Sequence, residues 1–360
     1  MRVPSEGFKV VIPASSTSSM SDGAGENSNF WNDRSVLVAG GAGFIGGHLV
    51  KRILDLGARV TVADSLENES GSQLVNKTAD SLKIDLADSR SCQLACKDAE
   101  VVYNAAAKVA GVSYNSAHSG EMFHRNALLN LNMLEAARKN DVDRYVVFSS
   151  ACVYKRDVAV PTVEDDGFLG DPEPSNFGYG WAKRLAEIQA RAYASEYGMK
   201  ISIIRPYNTY GPRDHFDEST SHVIPSLMRK IISDTGELVV WGTGQQKRSF
   251  VYVSDLVQGL ILSPEHHPAP DPINIGSDEE VSISEVAELI MTLSGKQKPV
   301  RYDVTKPEGQ LRRCPDLEKA RRLLGYSPQV KLRQGLKLTI DWYTQQIKRP
   351  ESLAPKAQFR

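Results

Sequence analysis

Two rhythms of apolar residues alternate through the first two thirds of the chain. Short runs at Ser35-Val-Leu-Val-Ala39, Arg59-Val-Thr-Val-Ala63, Leu82-Lys-Ile-Asp-Leu86, Ala99-Glu-Val-Val-Tyr103, Arg144-Tyr-Val-Val-Phe148 and Lys200-Ile-Ser-Ile-Ile204 predict strands. Between them lie stretches with helical spacing, notably Phe44 to Leu56, closed by Gly57 as a C-cap, Glu121 to Lys139, and Tyr179 to Tyr197. Strands alternating with helices predict an α/β fold built on a doubly wound parallel sheet. Right-handed crossovers then leave few topologies. Beyond Pro206 the rhythm breaks, Pro and Gly become frequent, and strands shorten. The pattern predicts a cofactor-binding domain over 34–206 and a smaller C-terminal substrate-binding lobe over 207–348, laid on the carboxyl ends of the strands, with some chain crossing back to the sheet. Lys331 to Lys348 reads as its closing helix. Residues 1–33 read as a disordered leader, because Pro13 to Asn29 is small and polar with little to bury.

Composition narrows the functional classes. Of 360 residues, 41% are hydrophobic and 24% charged, an ordinary globular balance. A formal net charge of -1 gives no electrostatic case for nucleic acid, and no apolar run is long enough to cross a membrane. Four scattered cysteines, Cys92, Cys96, Cys152 and Cys314, suggest neither a disulfide framework nor a metal site and fit a reducing cytoplasm.

The first chemical signal is Gly40-Gly-Ala-Gly43-Phe-Ile-Gly46, set between the first strand and the first helix. Gly40, Gly43 and Gly46 permit a tight turn, close approach of a pyrophosphate and close packing of helix on sheet, with Phe44 and Ile45 between them. Asp64 ends the second strand, eighteen residues beyond Gly46. A carboxylate there accepts from an adenosine ribose and repels a 2′-phosphate, so NAD is expected rather than NADP. Asp85 and Leu86, at the end of the third strand, are placed to meet the adenine, and Ala106, after the fourth, joins the cofactor set.

The second signal is Tyr179-Gly-Trp-Ala-Lys183, a pair one helical turn apart. A neighbouring ammonium is expected to lower the tyrosine pKa from about 10, so that the phenol can take a proton from a sugar hydroxyl while hydride leaves the same carbon. The lysine can also hold the nicotinamide ribose. Phe148-Ser-Ser150 ends a strand facing the same crevice, where Ser150 can bond the reacting oxygen.

Glycine fingerprint, Ser150, Tyr179 and Lys183 together resemble the extended short-chain dehydrogenase/reductase family, over about Ser35 to Tyr343. The resemblance implies a Rossmann-type fold, nicotinamide chemistry on a nucleotide-diphosphate sugar, and a homodimer formed through two long helices per subunit. One departure is Ala39, where the family commonly has threonine.

Further runs distinguish branches of that family. After Ser150 stand Ala151 and Cys152 rather than the Asp-Glu of its 4,6-dehydratases, which argues against dehydration. Ser149-Ser-Ala-Cys-Val-Tyr154 resembles both GDP-L-fucose synthases and GDP-mannose 3,5-epimerases, and Tyr210 to Pro225 resembles the former. By that resemblance Cys152 and His222 are the acid/base pair of an epimerisation, and the nucleotide is guanosine. A thiol and an imidazole suit proton transfer near neutrality. Asn208, Arg248 and Arg312 match positions that grip the substrate diphosphate, where a guanidinium fork binds two oxygens. Asp64 turns the choice toward an NAD-dependent cycle: transient C4 oxidation, epimerisation at C3 and/or C5, and hydride return. An NADPH-dependent 4-keto-sugar epimerase-reductase and a simple C4-epimerase remain alternatives, as does a regulator that has lost catalysis, against which intact Tyr179 and Lys183 argue.

Overall fold

The computed structural model describes residues 30–66, 79–218, 221–233, 235–306 and 309–348, so residues 1–29 of the expected leader lie outside the described residues. In chain order the first half comprises β1 (Ser35–Ala39), α1 (Phe44–Asp55), β2 (Arg59–Asp64), β3 (Asp80–Lys83), α2 (Ser89–Cys96), β4 (Val101–Asn104), α3 (Val112–Ala117), α4 (Ser119–Lys139), β5 (Arg144–Phe148), α5 (Phe177–Tyr197) and β6 (Ile201–Pro206). The second half comprises β7 (Thr209–Tyr210), α6 (Val223–Ile232), β8 (Leu238–Trp241), β9 (Lys247–Ser249), β10 (Val251–Tyr252), α7 (Val253–His266), β11 (Ile273–Ile275), β12 (Glu280–Ser282), α8 (Ile283–Ser294), β13 (Val300–Asp303), β14 (Arg312–Arg313), α9 (Glu318–Leu324) and α10 (Leu332–Ile347).

Seven parallel strands form the main sheet in the order β11-β6-β5-β4-β1-β2-β3. The order reverses between β1 and β4, which opens a crevice at their carboxyl ends, where ligands bind in such sheets. Both faces of β1 are buried: Val36 and Val38 join one apolar cluster with Leu49 and Ile53 of α1, while Leu37 and Ala39 join another with Met133 and Ala137 of α4. Continuous rather than alternating apolar strands follow from a sheet covered on both sides.

The third strand starts two residues before, and ends three residues before, the expected Leu82–Leu86. It lies at the sheet edge with β2 as its one partner, and pairing stops at Asp64↔Lys83, where β2 itself ends. Ordered structure also begins before Arg34. Trp31 is 2% exposed, stacks on Tyr103 at 6.2 Å and joins the core beside α1, and Asp33 N–H donates to the Gly57 carbonyl at 3.0 Å. A lone aromatic after a polar run gave no period to read. Trp31→Ala is expected to cost about 3–5 kcal/mol, the range for deleting a buried aromatic, readable by denaturant unfolding.

Beyond β6 the chain builds a third apolar core, where Leu227 and Met228 of α6, Ile290 of α8 and Leu336 of α10 pack together. The short sheets β12-β9-β14 and β13-β8 flank it. Two elements of this half return to the main sheet: β11 pairs with β6 as Ile273↔Ile204, and α7 packs Leu256 and Leu260 beside α1. Among the described residues no helix is long and apolar enough to cross a membrane.

Candidate active site

The cofactor cradle comes from the turn between β1 and α1. Gly40 has φ +75°, and a Cβ there would sit 2.6 Å from the Ala106 amide nitrogen. A Cβ on Gly46 would fall on the Gly40 carbonyl oxygen. Gly40 therefore demands glycine for backbone sign and for room, and Gly46 for room alone. Helix α1 starts at Gly43 with no side chain capping it, which leaves its first amides available to an anion, as a pyrophosphate requires. Asp64 closes the turn: one carboxylate oxygen accepts from Ala42 N–H at 3.1 Å and the other from Leu66 N–H at 3.0 Å. Fixed at that strand end, it is positioned for ribose hydroxyls. These residues fit NAD.

Asp85 is engaged by Arg125 through two hydrogen bonds of 3.0 and 2.7 Å, which hold its carboxyl below the usual range. Leu86 is buried, and its carbonyl accepts from the Cys92 thiol at 3.1 Å. Cys92 and Cys96 lie in the core, where burial pushes both thiols up to about 12, the range of inert structural cysteines.

A cleft of about 600 Å³ runs from this cradle into the second half of the chain. Phe44, Ile45, Ser150, Cys152, Tyr179, Lys183, Asn208, His222 and Arg248 all line it, so one space unites residues scattered over two hundred positions of sequence. Ser150 caps the turn at 151–153, its hydroxyl accepting from Cys152 N–H at 3.1 Å. Lys183 is 1% exposed; its ammonium donates to the Phe148 carbonyl at 2.7 Å and lies 5.5 Å from the Tyr179 ring centroid. Asn208 donates to the Ser249 carbonyl at 2.9 Å.

The protonation pattern departs from expectation at Tyr179. Burial pushes its phenol above the ordinary tyrosine value, with Cys152 adding to the rise, while the Ser150 hydrogen bond and Arg313 pull it down. The lysine that was to lower it is itself desolvated, and burial brings Lys183 down to about 8. The Lys183 ammonium donates to the Phe148 carbonyl, and desolvation is the largest influence on the phenol. His222 is also lowered, first by the cleft walls around it and then by His215 and Arg313. Its ring nonetheless remains open to solvent within the cleft.

Arg312 does not line this cleft. It is bound by two hydrogen bonds to Glu280, at 3.0 and 2.8 Å, beside a separate shallow groove. Its neighbour Arg313 lines the cleft instead, placing Nη2 3.4 Å from Cys152 Sγ. In an extended segment successive side chains point to opposite sides, so adjacent arginines could not be told apart without the pairing of β14 with β9. Sequence reasoning also missed Asn115, Ser221 and Gln246. Each lines the cleft with a buried oxygen that has no hydrogen-bond partner among the described residues, as does the Arg313 Nε nitrogen.

A glycine cradle opening onto a Ser/Tyr/Lys set defines an enzyme that uses a nicotinamide cofactor on an alcohol or ketone. The chain belongs to the NAD dependent epimerase/dehydratase family, whose sequence profile matches residues 36–276. It is 31% identical to GDP-L-fucose synthase 1 of Arabidopsis thaliana, over 91% of this chain and 99% of that one. It is 29% identical to GDP-mannose 3,5-epimerase 1 of Oryza sativa subsp. indica, over 91% of this chain and 86% of that one. Among solved structures, UDP-glucose 4-epimerase of Thermotoga maritima with UDP-glucose superposes with a TM-score of 0.79 at 27% identity, covering 87% of this chain and 100% of the other. The protein is an enzyme, and its cofactor is NAD.

Asp64→Ala is expected to weaken NAD binding and reduce discrimination against NADP, because it removes both the ribose acceptor and the charge that opposes a 2′-phosphate. Parallel titrations with the two dinucleotides check it.

Proposed function

We propose that this enzyme is a redox-neutral epimerase of a nucleotide-diphosphate sugar, inverting C3, C5 or both by way of a C4 ketone. The observation that carries this reading is that Cys152 and His222 line the same cleft as Ser150, Tyr179 and Lys183, with Arg313 acting electrostatically on both. Residues 34–206 would hold the cofactor and residues 207–348 most of the nucleotide sugar, with Asn208, Arg248 and Arg313 on the diphosphate and sugar.

In this reading Tyr179 acts as its phenolate, the form that the Ser150 hydroxyl, Arg313 and the positive nicotinamide of a bound NAD would favour. It takes the proton of the C4 hydroxyl, while Ser150 steadies that oxygen and Lys183 anchors the catalytic strand end through the Phe148 carbonyl. NAD, when bound, supplies the hydride acceptor at C4 and later returns the hydride. A C4 ketone acidifies the hydrogens on C3 and C5. His222, kept neutral by its lowered pKa, removes one of them. Cys152 delivers a proton to the opposite face, and Arg313 faces the thiolate that results. Inversion at the second carbon with the two roles exchanged, or, where one carbon alone is inverted, proton exchange with solvent, restores the pair.

Relatives named for GDP-sugars support guanosine as the nucleotide. Phe123 on α4 and Ile188 on α5 are exposed apolar residues on the two longest helices, which supports a homodimer through that face. Four cysteines without a disulfide among them are compatible with the cytoplasm.

The test is incubation with NAD and a panel of GDP-, UDP-, CDP- and dTDP-sugars in heavy water, without reductant, read by NMR and mass. Solvent deuterium at C3 or C5 is the expected result. A new epimer without deuterium would mean C4 inversion alone. Oxidation of NADPH by a 4-keto sugar, without turnover of any plain sugar, would mean the epimerase-reductase reading, which His222 favours by its resemblance and Asp64 opposes.

A further inference from the structure

Beneath the catalytic residues lies an ion pair with no contact to the cleft. Glu187 and Arg205 are both 0% exposed and joined by two hydrogen bonds, from Arg205 Nε at 2.8 Å and Nη2 at 2.7 Å. Glu187 stands one turn beyond Lys183 and two beyond Tyr179, so a single stripe of α5 carries all three. Each takes hold of a different residue at the end of β5. Lys183 bonds the Phe148 carbonyl, Glu187 accepts from the Ser149 hydroxyl, and Tyr179 meets the Ser150 hydroxyl. Arg205 Nη1 donates to the Tyr154 hydroxyl at 2.9 Å and to the Glu164 carbonyl at 2.6 Å. It directly precedes Pro206, Tyr207 and Asn208, which line the cleft. Gly167 leaves room for the guanidinium, where a Cβ would collide with both terminal nitrogens.

Desolvating two charges roughly cancels their attraction, so such a pair is a poor source of stability. What it supplies is fixed direction: a bidentate fork allows one relative placement of its partners. We infer that Glu187 and Arg205 are positioning residues, which hold Ser150 against Tyr179 through Ser149 and hold the Asn208 segment in register with them. This rests on the proposed redox role of Tyr179 and Ser150, and is independent of whether C3 or C5 is inverted.

Ser149→Ala removes one hydroxyl and leaves the ion pair intact. It is expected to slow the reduction of bound NAD by substrate, followed at 340 nm in a single turnover, about tenfold or more, while substrate KM and NAD affinity stay within about twofold and Tm within a few degrees. Its pH profile should move alkaline, because a misaligned Ser150 no longer lowers the phenol pKa. Glu187→Leu combined with Arg205→Met removes the pair without stranding a charge and should fold, bind NAD, and lose still more of the same rate. Unchanged rate and pH profile in Ser149→Ala, or wild-type rate in a folded double variant, overturns the inference; if the double variant does not fold, Ser149→Ala decides. A normal 340 nm phase with no deuterium at C3 or C5 would instead overturn the epimerase reading and leave this one standing.

Discussion

Tyr179→Phe is expected to slow turnover by about a hundred- to ten-thousand-fold, the range attributable to a positioned general acid–base group. The substitution deletes one oxygen and keeps the ring that lies against Lys183, so NAD should bind and Tm should hold. The wild-type phenol sits above the ordinary tyrosine value because burial dominates its surroundings. Ser150 and Arg313 both favour the phenolate, and Ser150→Ala should therefore reproduce part of the loss and shift the pH dependence alkaline. Steady-state kcat beside an NAD titration separates a lost proton acceptor from a lost cofactor site. A Tyr179→Phe enzyme within a few-fold of wild type would remove the redox reading.

The second large effect concerns Cys152 and His222. Cys152→Ala and His222→Asn should each abolish deuterium incorporation at C3 and C5, yet leave the transient reduction of bound NAD in place, since neither side chain is assigned to the C4 hydroxyl. In the wild-type enzyme the exchange rate should persist below pH 6.5. The sign follows from the role: a neutral imidazole is the base, protonation disables it, and the lowered His222 pKa moves that protonation to more acid pH. An acid limb above pH 6.5 would contradict the assignment. Retained exchange in either variant would return that residue to a structural part.

The doubly wound sheet was legible in the chain because its strands are apolar on both faces and its helices carry their own period and caps. The Gly40–Gly46 turn, Asp64 at the end of β2 and the Tyr179/Lys183 pair on α5 stand on the elements that the sequence predicted, since each lies within one strand, turn or helix. The errors came where neighbours intervene. The third strand was placed too late because its extent depends on where β2 stops. Trp31 was assigned to the leader because nothing near it in sequence shows that it packs on Tyr103.

The same division runs through the site. Local chemistry decided which residues could bind a dinucleotide or move a proton, because residue type and spacing set those capacities. The tertiary structure decided which of two adjacent arginines faces the thiol, that Tyr179 is raised rather than lowered, and that Glu187 and Arg205 lie under the catalytic turn. Burial, desolvation and side-chain direction arise from segments brought together from across the chain, and a single sequence records none of those distances.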